Sequence, residues 1–444
     1  MRKQLLLKNG QVVFIDGIRN VDILIEKDKI IKIENDIYSN NAEIIDLTGK
    51  YVFPGIIDTH VHFRDPGLIH KADINTESAA AIAGGVTTVI DMPNTIPYAS
   101  TYETIKEKKD IAKNKSYTNI GFFVGAHNDN LQTLLNFPQN EVAGIKLFMG
   151  SSTGNVKVEN DEYLEELFAK SYLPIAVHAE SESIIQQNLQ FYKELYNDHI
   201  PFQAHSKIRS KEACIESTKK AIELAKKHGT SLHVLHISTT EEFLLFDYEK
   251  HSTITAEVCI PHLWFSDNDF EQYGGLLKCN PSVKSDHDKE ELRKALMTEK
   301  VYSIATDHAP HTYEEKQKNY LNCPSGTTSI QHSLLSMLEL YRLGYIDLPT
   351  IALKMAYNPA KKFNIKDRGE LKVGNYADIT VVDLNIKSAV KKENLLYKCK
   401  WSVFEGVNFT SSVVFTIVNG NIVFENGKLN DHFRGMLIEY NQTK

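Results

Sequence analysis

The chain of 444 residues is long enough for one large domain and a smaller one, and no apolar stretch in it approaches the length of a membrane span. Its formal net charge is -7 and its basic residues are scattered, which argues against nucleic-acid binding. The five cysteines are odd in number, widely spaced and form no Cys-x-x-Cys pair, so we expect a reduced, cytoplasmic protein.

The first part of the chain, residues 1–54, has the pattern of a small β region. Short apolar runs are separated by turn signals such as Asn9-Gly10 and Asp16-Gly17. The predicted strands cover 4–7, 11–15, 21–25 and 29–33.

From Gly55 onward, short apolar runs alternate with longer segments of helical spacing. The eight runs are 55–58, 86–90, 120–124, 143–148, 173–178, 231–237, 253–258 and 301–307, and helical segments include 101–115, 161–171, 210–228 and 286–299. Eight strands alternating with helices predict an α/β fold, a (β/α)₈ TIM barrel over residues 55–364. A doubly wound open sheet is the competing architecture, but no Gly-rich nucleotide loop follows the first run.

The last part of the chain, residues 365–444, returns to β patterning. Predicted strands cover 369–371, 377–383, 413–418 and 421–424, with turns at Asn419-Gly420 and Asn426-Gly427. Two β ends that flank a barrel predict one small β-sandwich domain built from both chain ends.

The first barrel run leads into a His-x-His motif. If the strand continues to His62, then His60 and His62 project from one face with Asp58 behind them, and the two imidazoles can share a metal ion. For an isolated pair of this kind, two hydrogen-bonded histidines at a strand end are the favoured interpretation, because short motifs recur by chance. The turn at 65–67 that follows would place Arg64 at the mouth of a site.

Four of the other apolar runs contain or end in a lysine, a histidine or an aspartate. Lys146, His178, His236 and Asp307 lie on the fourth, fifth, sixth and eighth runs. In a (β/α)₈ barrel these strand ends converge on one face, and nitrogen and carboxylate ligands without thiolate suit zinc or another divalent first-row metal. Lysine in an apolar run usually snorkels or pairs with an acid. A buried lysine with a lowered pKa can instead react as the neutral amine with carbon dioxide, and the resulting carbamate could bridge two metals.

In these motifs the chain resembles the amidohydrolase superfamily and, within it, the dihydroorotases. The matching stretches are 58–64, 84–89, 92–95, 144–148, 177–180, 236–238 and 305–311. The resemblance extends over nearly the whole chain, including the β ends.

The resemblance implies two zinc ions per chain, bridged by N6-carboxylysine at Lys146 and by a hydroxide. The remaining ligands would be His60, His62 and Asp307 for one metal, and His178 and His236 for the other. Two metals would lower the pKa of the shared water and polarise the substrate carbonyl. Asp307 would take the hydroxide proton and pass it to the leaving ring nitrogen, first as a general base and then as a general acid.

The same resemblance implies the substrate contacts. Arg64, Asn94 and His311 match carboxylate-binding positions, and Asn280 matches a position that contacts the pyrimidine ring. Taken singly, Arg64 could form a surface salt bridge and Asn94 could be a turn residue. The activity implied is the reversible, zinc-dependent cyclisation of N-carbamoyl-L-aspartate to L-dihydroorotate and water, a step of pyrimidine biosynthesis.

The chain also departs from the dihydroorotase pattern. Many dihydroorotases have a second proline and an arginine after the Asn-Pro at 280–281, where this chain has Ser282, Val283 and Lys284. Gln331 stands where relatives often have glutamate.

Two other functions remain open at this stage. The first is another cyclic amidase, a hydantoinase (dihydropyrimidinase) or an allantoinase; hydantoinases have a tyrosine shortly after the lysine, where this chain has Ser151 and Ser152, and generally lack an arginine at position 64. The second is an inactive scaffold homologue, although such proteins typically lose metal ligands and all six are present here. The oligomeric state is also open, and a homodimer is one possibility.

Overall fold

The structure, a computed structural model, describes residues 4–150, 158, 160–246, 248 and 253–441. The chain begins with seven strands: β1 (Gln4–Lys8), β2 (Gln11–Phe14), β3 (Gly17–Asn20), β4 (Asp22–Glu26), β5 (Lys29–Glu34), β6 (Ala42–Asp46) and β7 (Tyr51–Pro54). Four of them form one sheet in the order β5-β4-β1-β6. β7 leads through Gly55 into the barrel, and a Cβ at Gly55 would lie 2.2 Å from Thr87 Oγ1, so only glycine fits this crossing.

The barrel consists of eight parallel strands, as predicted: β8 (Ile56–Val61), β9 (Val86–Asp91), β10 (Asn119–Gly125), β11 (Gly144–Met149), β12 (Ile175–Ala179), β13 (Leu232–Val234), β14 (Ile254–Cys259) and β15 (Ser303–Ala305). Neighbouring strands pair in sequence order from β8 to β15. The barrel closes where the N–H of His62 donates to the carbonyl of His308 at 2.8 Å. All residues of these strands are buried, as expected for strands covered on both faces.

Helices surround the barrel and lie in the connections between its strands. They are α1 (Ile74–Ala83), α2 (Tyr102–Lys115), α3 (Leu131–Leu135), α4 (Asp161–Lys170), α5 (Glu182–Tyr196), α6 (His205–Ile208), α7 (Lys211–His228), α8 (Ile260–Trp264), α9 (Phe270–Tyr273), α10 (Asp286–Lys294), α11 (Tyr313–Lys316), α12 (Ser333–Arg342), α13 (Leu348–Ala352) and α14 (Asn358–Lys362). α2 lies within the predicted helical segment 101–115, and Thr101 and Thr104 form a capping box at its start. In the described part of the chain, no helix is both long and apolar enough to cross a membrane.

The chain ends with β16 (Ile379–Asp383), β17 (Ser388–Ala389), β18 (Asn408–Phe409), β19 (Ser412–Val418), β20 (Asn421–Glu425) and β21 (Lys428–Leu429). Strands from both chain ends share a seven-stranded sheet in the order β21-β20-β19-β16-β7-β2-β3. Apolar residues of this sheet and of the four-stranded sheet form one core, which includes Leu5, Ile25 and Ile417. The β domain built from both chain ends is therefore present, while its boundaries at 54/55 and 364/365 stay a prediction.

Some local predictions were wrong. Residues 369–371 form no strand, although Leu371 is buried in the core of the β domain. β3 and β6 were missed because most of their residues are exposed and therefore show no apolar run. β8 ends at Val61, one residue before His62. Ser151 and Ser152, whose presence in place of a tyrosine disfavours a hydantoinase, lie outside the described residues.

Candidate active site

A cavity opens where the barrel strands end, and nine of the ten predicted site residues line it. Its lining consists of His60, His62, Arg64, Asn94, Lys146, Phe148, His178, His236, Asn280, Asp307, Ala309, Ser325 and Gly326. The tenth predicted residue, His311, is buried beside Arg64 rather than on the cavity wall. The strand ends thus bring together residues that are up to 247 positions apart in sequence.

Three of these residues have left-handed backbone conformations, which are uncommon outside glycine. The φ angles are 65° at Arg64, 41° at His236 and 47° at Asp307. His236 and Asp307 lie just beyond the ends of β13 and β15, where the chain leaves its strand. Backbone strain of this kind is found preferentially at functional sites, where the surrounding structure holds it in place.

His60, His62 and Asp307 form the first part of the site. Asp307 Oδ1 lies 3.2 Å from His60 Nε2 and 3.1 Å from His62 Nε2. One ligand atom from each of the three residues lies within 4.8 Å of the others, close enough for all three to hold one metal ion.

Glu257 orients His60 and was not identified as a site residue from the sequence. Its Oε1 lies 2.8 Å from His60 Nδ1, and both side chains are buried. A carboxylate that accepts from Nδ1 fixes the orientation of the ring, so that Nε2 faces Asp307. The signal in the sequence was a single glutamate inside the apolar run of β14.

Burial and charge act in opposite directions on this cluster. Burial alone would lower the pKa of His60, but the carboxylates of Asp307 and Glu257 outweigh it and raise that pKa to about 9. At His62 burial prevails and lowers the pKa to about 3. Burial opposes ionisation of Asp307, yet its contacts with His60 and His62 hold the pKa of that carboxyl well below its usual range. Asp307 is therefore an ionised acceptor at neutral pH.

His178 and His236 form the second part of the site. His178 Nδ1 and His236 Nε2 lie 2.9 Å apart, so nitrogen atoms from two strand ends converge on one point. The other nitrogen of His178, Nε2, lies 2.9 Å from Glu180 Oε2. Glu180 is paired in turn with the guanidinium of Arg209. The Glu180–Arg209 pair, which the sequence did not reveal as part of the site, therefore holds the ring of His178 in place.

Lys146 projects from β11 into the same cavity. Its side chain is 1% exposed, and its Nζ lies 4.5 Å from the centre of the Phe148 ring. Burial lowers the pKa of Lys146 to about 7, so much of this lysine is the neutral amine at neutral pH. The neutral amine has the lone pair that attacks the carbon of carbon dioxide to form a carbamate, with loss of a proton.

The donor set fits divalent metal ions. Imidazole nitrogens and a carboxylate oxygen meet in one buried cavity, and no cysteine is among the described residues that line it. Within the part of the chain that the structure describes, the buried His236 Nδ1 and His62 Nδ1 have no hydrogen-bond partner, so neither ring is committed to a second protein group.

A second group of cavity-lining residues, Arg64, Asn94 and Asn280, has hydrogen-bonding groups without a partner in the described structure. Among the described residues, no carboxylate lies within ion-pairing distance of Arg64, whose side chain is 4% exposed. Arg64 Nε donates to the carbonyl of Pro310 at 3.2 Å, Nη2 lies 3.3 Å from His311 Nε2, and the residue lines the cavity. The buried Asn94 Oδ1 and Asn280 Oδ1 also lack a partner in the described structure. A buried cation without a counterion is costly, so this arrangement suits an anionic ligand.

Comparisons with known proteins identify the family of the chain. The Amidohydrolase family model matches residues 51–423. The chain is 32% identical over 426 residues to a dihydroorotase of Methanosphaera stadtmanae (94% of this chain, 96% of the relative) and 30% identical over 433 residues to an allantoinase of Desulfitobacterium hafniense (96% of each). An L-hydantoinase (dihydropyrimidinase) structure from Arthrobacter aurescens superimposes with a TM-score of 0.93 at 28% identity, covering 99% of this chain and 100% of that one. The chain belongs to the amidohydrolase family, which is generally metal-dependent, and is a hydrolase that acts on cyclic amides.

Proposed function

We propose that this hydrolase is a dihydroorotase, which interconverts N-carbamoyl-L-aspartate and L-dihydroorotate with release or uptake of water. The observation that carries the proposal is the buried, unpaired guanidinium of Arg64 beside the histidine cluster. L-Dihydroorotate is a cyclic amide with a ring carboxylate, whereas hydantoin and dihydrouracil have no carboxylate. A guanidinium can bind that carboxylate through two parallel hydrogen bonds, which offsets the cost of its burial.

The two asparagines support the same substrate. The unpartnered Oδ1 atoms of Asn94 and Asn280 line the cavity with Arg64. The amide nitrogens of these side chains can donate to the carboxylate or a ring carbonyl, and their oxygens can accept a ring N–H. In this proposal Asn94 assists Arg64 and Asn280 contacts the pyrimidine ring.

The residues that would hold the metal ions are those of the two histidine clusters. His60, His62 and Asp307 would bind one zinc ion, His178 and His236 would bind a second, and carboxylated Lys146 would bridge them. When bound, the ions polarise the amide carbonyl and lower the pKa of water in the cavity.

Asp307 is the proposed catalytic residue. Its carboxylate is ionised and lies at the cavity between His60 and His62. In the hydrolytic direction it would accept a proton from the attacking water at a carboxylate oxygen. It would then give that proton to the ring nitrogen as the carbon–nitrogen bond breaks. Ring closure follows the same path in reverse, and water leaves.

A substrate panel tests the proposal. We expect kcat/KM for L-dihydroorotate to exceed that for dihydrouracil, hydantoin and allantoin by at least about a hundredfold, because only dihydroorotate offers Arg64 a carboxylate. Formation of dihydroorotate from N-carbamoyl-L-aspartate should be measurable in the same preparation. A preference for allantoin or hydantoin would reject the dihydroorotase assignment and leave the cyclic amidase in place.

A further inference from the structure

His311 sits behind Arg64, and its two ring nitrogens have different neighbours. Nδ1 lies 3.1 Å from the Nζ of Lys71. Nε2 lies 3.1 Å from the carbonyl oxygen of Ser325 and 3.3 Å from Nη2 of Arg64. The ring is 3% exposed, so these neighbours, and not bulk water, determine where its proton resides.

These neighbours determine the tautomer. A lysine ammonium can only donate, so Nδ1 must accept from Lys71. A carbonyl oxygen can only accept, so Nε2 must carry the proton and donate to Ser325. Burial lowers the pKa of His311 to about 3, so the ring is neutral and has only this one proton.

The tautomer decides what Arg64 can do. A protonated Nε2 cannot accept a hydrogen bond, so the contact of 3.3 Å between Nη2 of Arg64 and Nε2 is not a hydrogen bond. The Nη2 hydrogens therefore stay available to a ligand. The opposite tautomer would expose a lone pair on Nε2 that competes with a ligand carboxylate for Arg64.

We propose that Lys71 is a positioning residue for specificity: it holds His311 in the Nε2–H tautomer and so keeps the Arg64 guanidinium free for a substrate carboxylate. The consequence for the substrate rests on the function proposed above. Glu315 makes the role of Lys71 necessary, because its Oε2 lies 3.5 Å from His311 Nδ1 and would accept a proton there. Lys71 prevents this by occupying Nδ1 at 3.1 Å while its Nζ also lies 3.1 Å from Glu315 Oε1.

The test begins with the tautomer itself. Long-range proton–nitrogen NMR spectra of protein labelled with ¹⁵N-histidine distinguish a protonated Nε2 from a protonated Nδ1, and the His311→Asn variant assigns the signal. We expect Nε2–H in the wild type and in Lys71→Arg, since arginine also only donates. Lys71→Met should switch His311 to Nδ1–H, directed at Glu315.

Kinetics test the consequence. We expect Lys71→Met to raise KM for dihydroorotate about tenfold, the effect of about 1.4 kcal/mol, with kcat changed by less than about twofold. Lys71→Arg should restore most of the loss. Lys115→Met is the matched control, because Lys115 pairs with Asp65 in the same turn at 2.8 Å and is not among the groups that contact His311.

The outcomes separate this inference from the proposed function. An Nδ1–H signal in the wild type, or an unchanged tautomer in Lys71→Met, would overturn the role of Lys71. A loss in kcat without a rise in KM would also overturn it and would indicate general damage to the loop. If the tautomer switches as expected but the wild type does not turn over dihydroorotate, the proposed function fails and the role of Lys71 in setting the tautomer stands.

Discussion

The two sides of the cavity differ in how their polar atoms are paired. On the histidine side, His60 and His178 are each hydrogen-bonded to a buried carboxylate, at 2.8 Å to Glu257 and 2.9 Å to Glu180. On the other side, Arg64 has no carboxylate partner among the described residues, and the Oδ1 atom of Asn280 is unpaired. His60 and His178 are thus oriented by buried carboxylates, whereas Arg64 is left to pair with a ligand; His62 Nδ1 and His236 Nδ1 have no partner in the described structure.

The difference follows from where the residues lie in the fold. The histidine side is built on the barrel strands and on the residues just beyond their ends, so strand pairing anchors it. The Arg64 side is built on the segments that follow the strands, including the stretch from Ala309 to Gly326. In (β/α)₈ barrels, segments of this kind vary between relatives and determine which substrate is bound.

Removing the proposed bridge between the two metals should have the largest effect. We expect Lys146→Ala to lower kcat/KM by about a thousandfold or more and to reduce bound zinc, because neither metal keeps its bridging anion. Zinc is measured by mass spectrometry alongside activity. Lys362→Ala is the control, since Lys362 is also buried but contacts the carbonyls of Leu232 and Thr253 outside the cavity, at 2.9 and 2.8 Å. Full activity of Lys146→Ala with both metals bound would exclude the carbamate.

Removing the guanidinium of Arg64 should have the next largest effect on activity, without changing the bound zinc. We expect Arg64→Gln to lower kcat/KM for dihydroorotate by about thirty- to a thousandfold, from the loss of a bidentate pair that contributes on the order of 2–4 kcal/mol. Zinc content should stay at the wild-type level, since Arg64 is not a proposed ligand. Arg64→Lys should recover part of the loss, because lysine supplies charge without the planar fork. Loss of zinc in Arg64→Gln would mean that the two sides of the cavity are not separable.

Weakening the support of one histidine should have a smaller effect. In Glu257→Gln the His60 ring loses its charged acceptor, and we expect zinc affinity to fall about ten- to a hundredfold. Competition with a chelator of known affinity measures it. The matched control is Glu242→Gln. Glu242 is also a buried carboxylate, but it accepts a hydrogen bond from Thr218 at 2.8 Å and is not part of the cavity lining. Equal zinc affinity in both variants would show that Glu257 does not support the metal site.

The smallest effect should come from the C-terminal part of the chain. Trp401 Nε1 donates to the backbone carbonyl of His311 at 2.8 Å and so holds the segment behind Arg64. We expect Trp401→Phe to raise KM for dihydroorotate about two- to fivefold through the loss of one hydrogen bond. Trp264→Phe makes the same change at a ring that packs on Phe404 away from the cavity, and it should leave KM unchanged. Identical KM values for the two variants would contradict a role for Trp401.

The barrel and the histidine side could be predicted because both follow from local patterns. The eight apolar runs match the eight barrel strands, and His178 and Lys146 lie on strands as their positions in those runs indicated. Strands that are mostly exposed, such as β3 and β6, lack such a pattern and were missed. The strand predicted at 369–371 was wrong for a different reason. Leu371 is apolar and buried in a core, but the segment that contains it is not a strand.

The position of Arg64 at the mouth of a site could be anticipated from the turn that follows it, but the roles of Arg64, Asn94, Asn280 and His311 only through resemblance to a family. Whether Arg64 is paired depends on contacts with residues far away in sequence, such as His311, 247 positions later. The supports of the histidines were missed for the same reason: Glu257 reaches His60 across 197 positions, and nothing in the apolar run of β14 indicates that partner.

The central claim is that Arg64 recognises a ring carboxylate in a cyclic amidase. The most direct measurement compares wild type and Arg64→Gln on dihydroorotate and on dihydrouracil, which lacks the carboxylate, with zinc measured in every sample. The structure predicts a fall of about thirty- to a thousandfold on dihydroorotate and a much smaller change on dihydrouracil, at equal zinc content. An equal proportional loss on both substrates would show that Arg64 supports the architecture of the site, and it would contradict the carboxylate-binding role on which the dihydroorotase assignment rests.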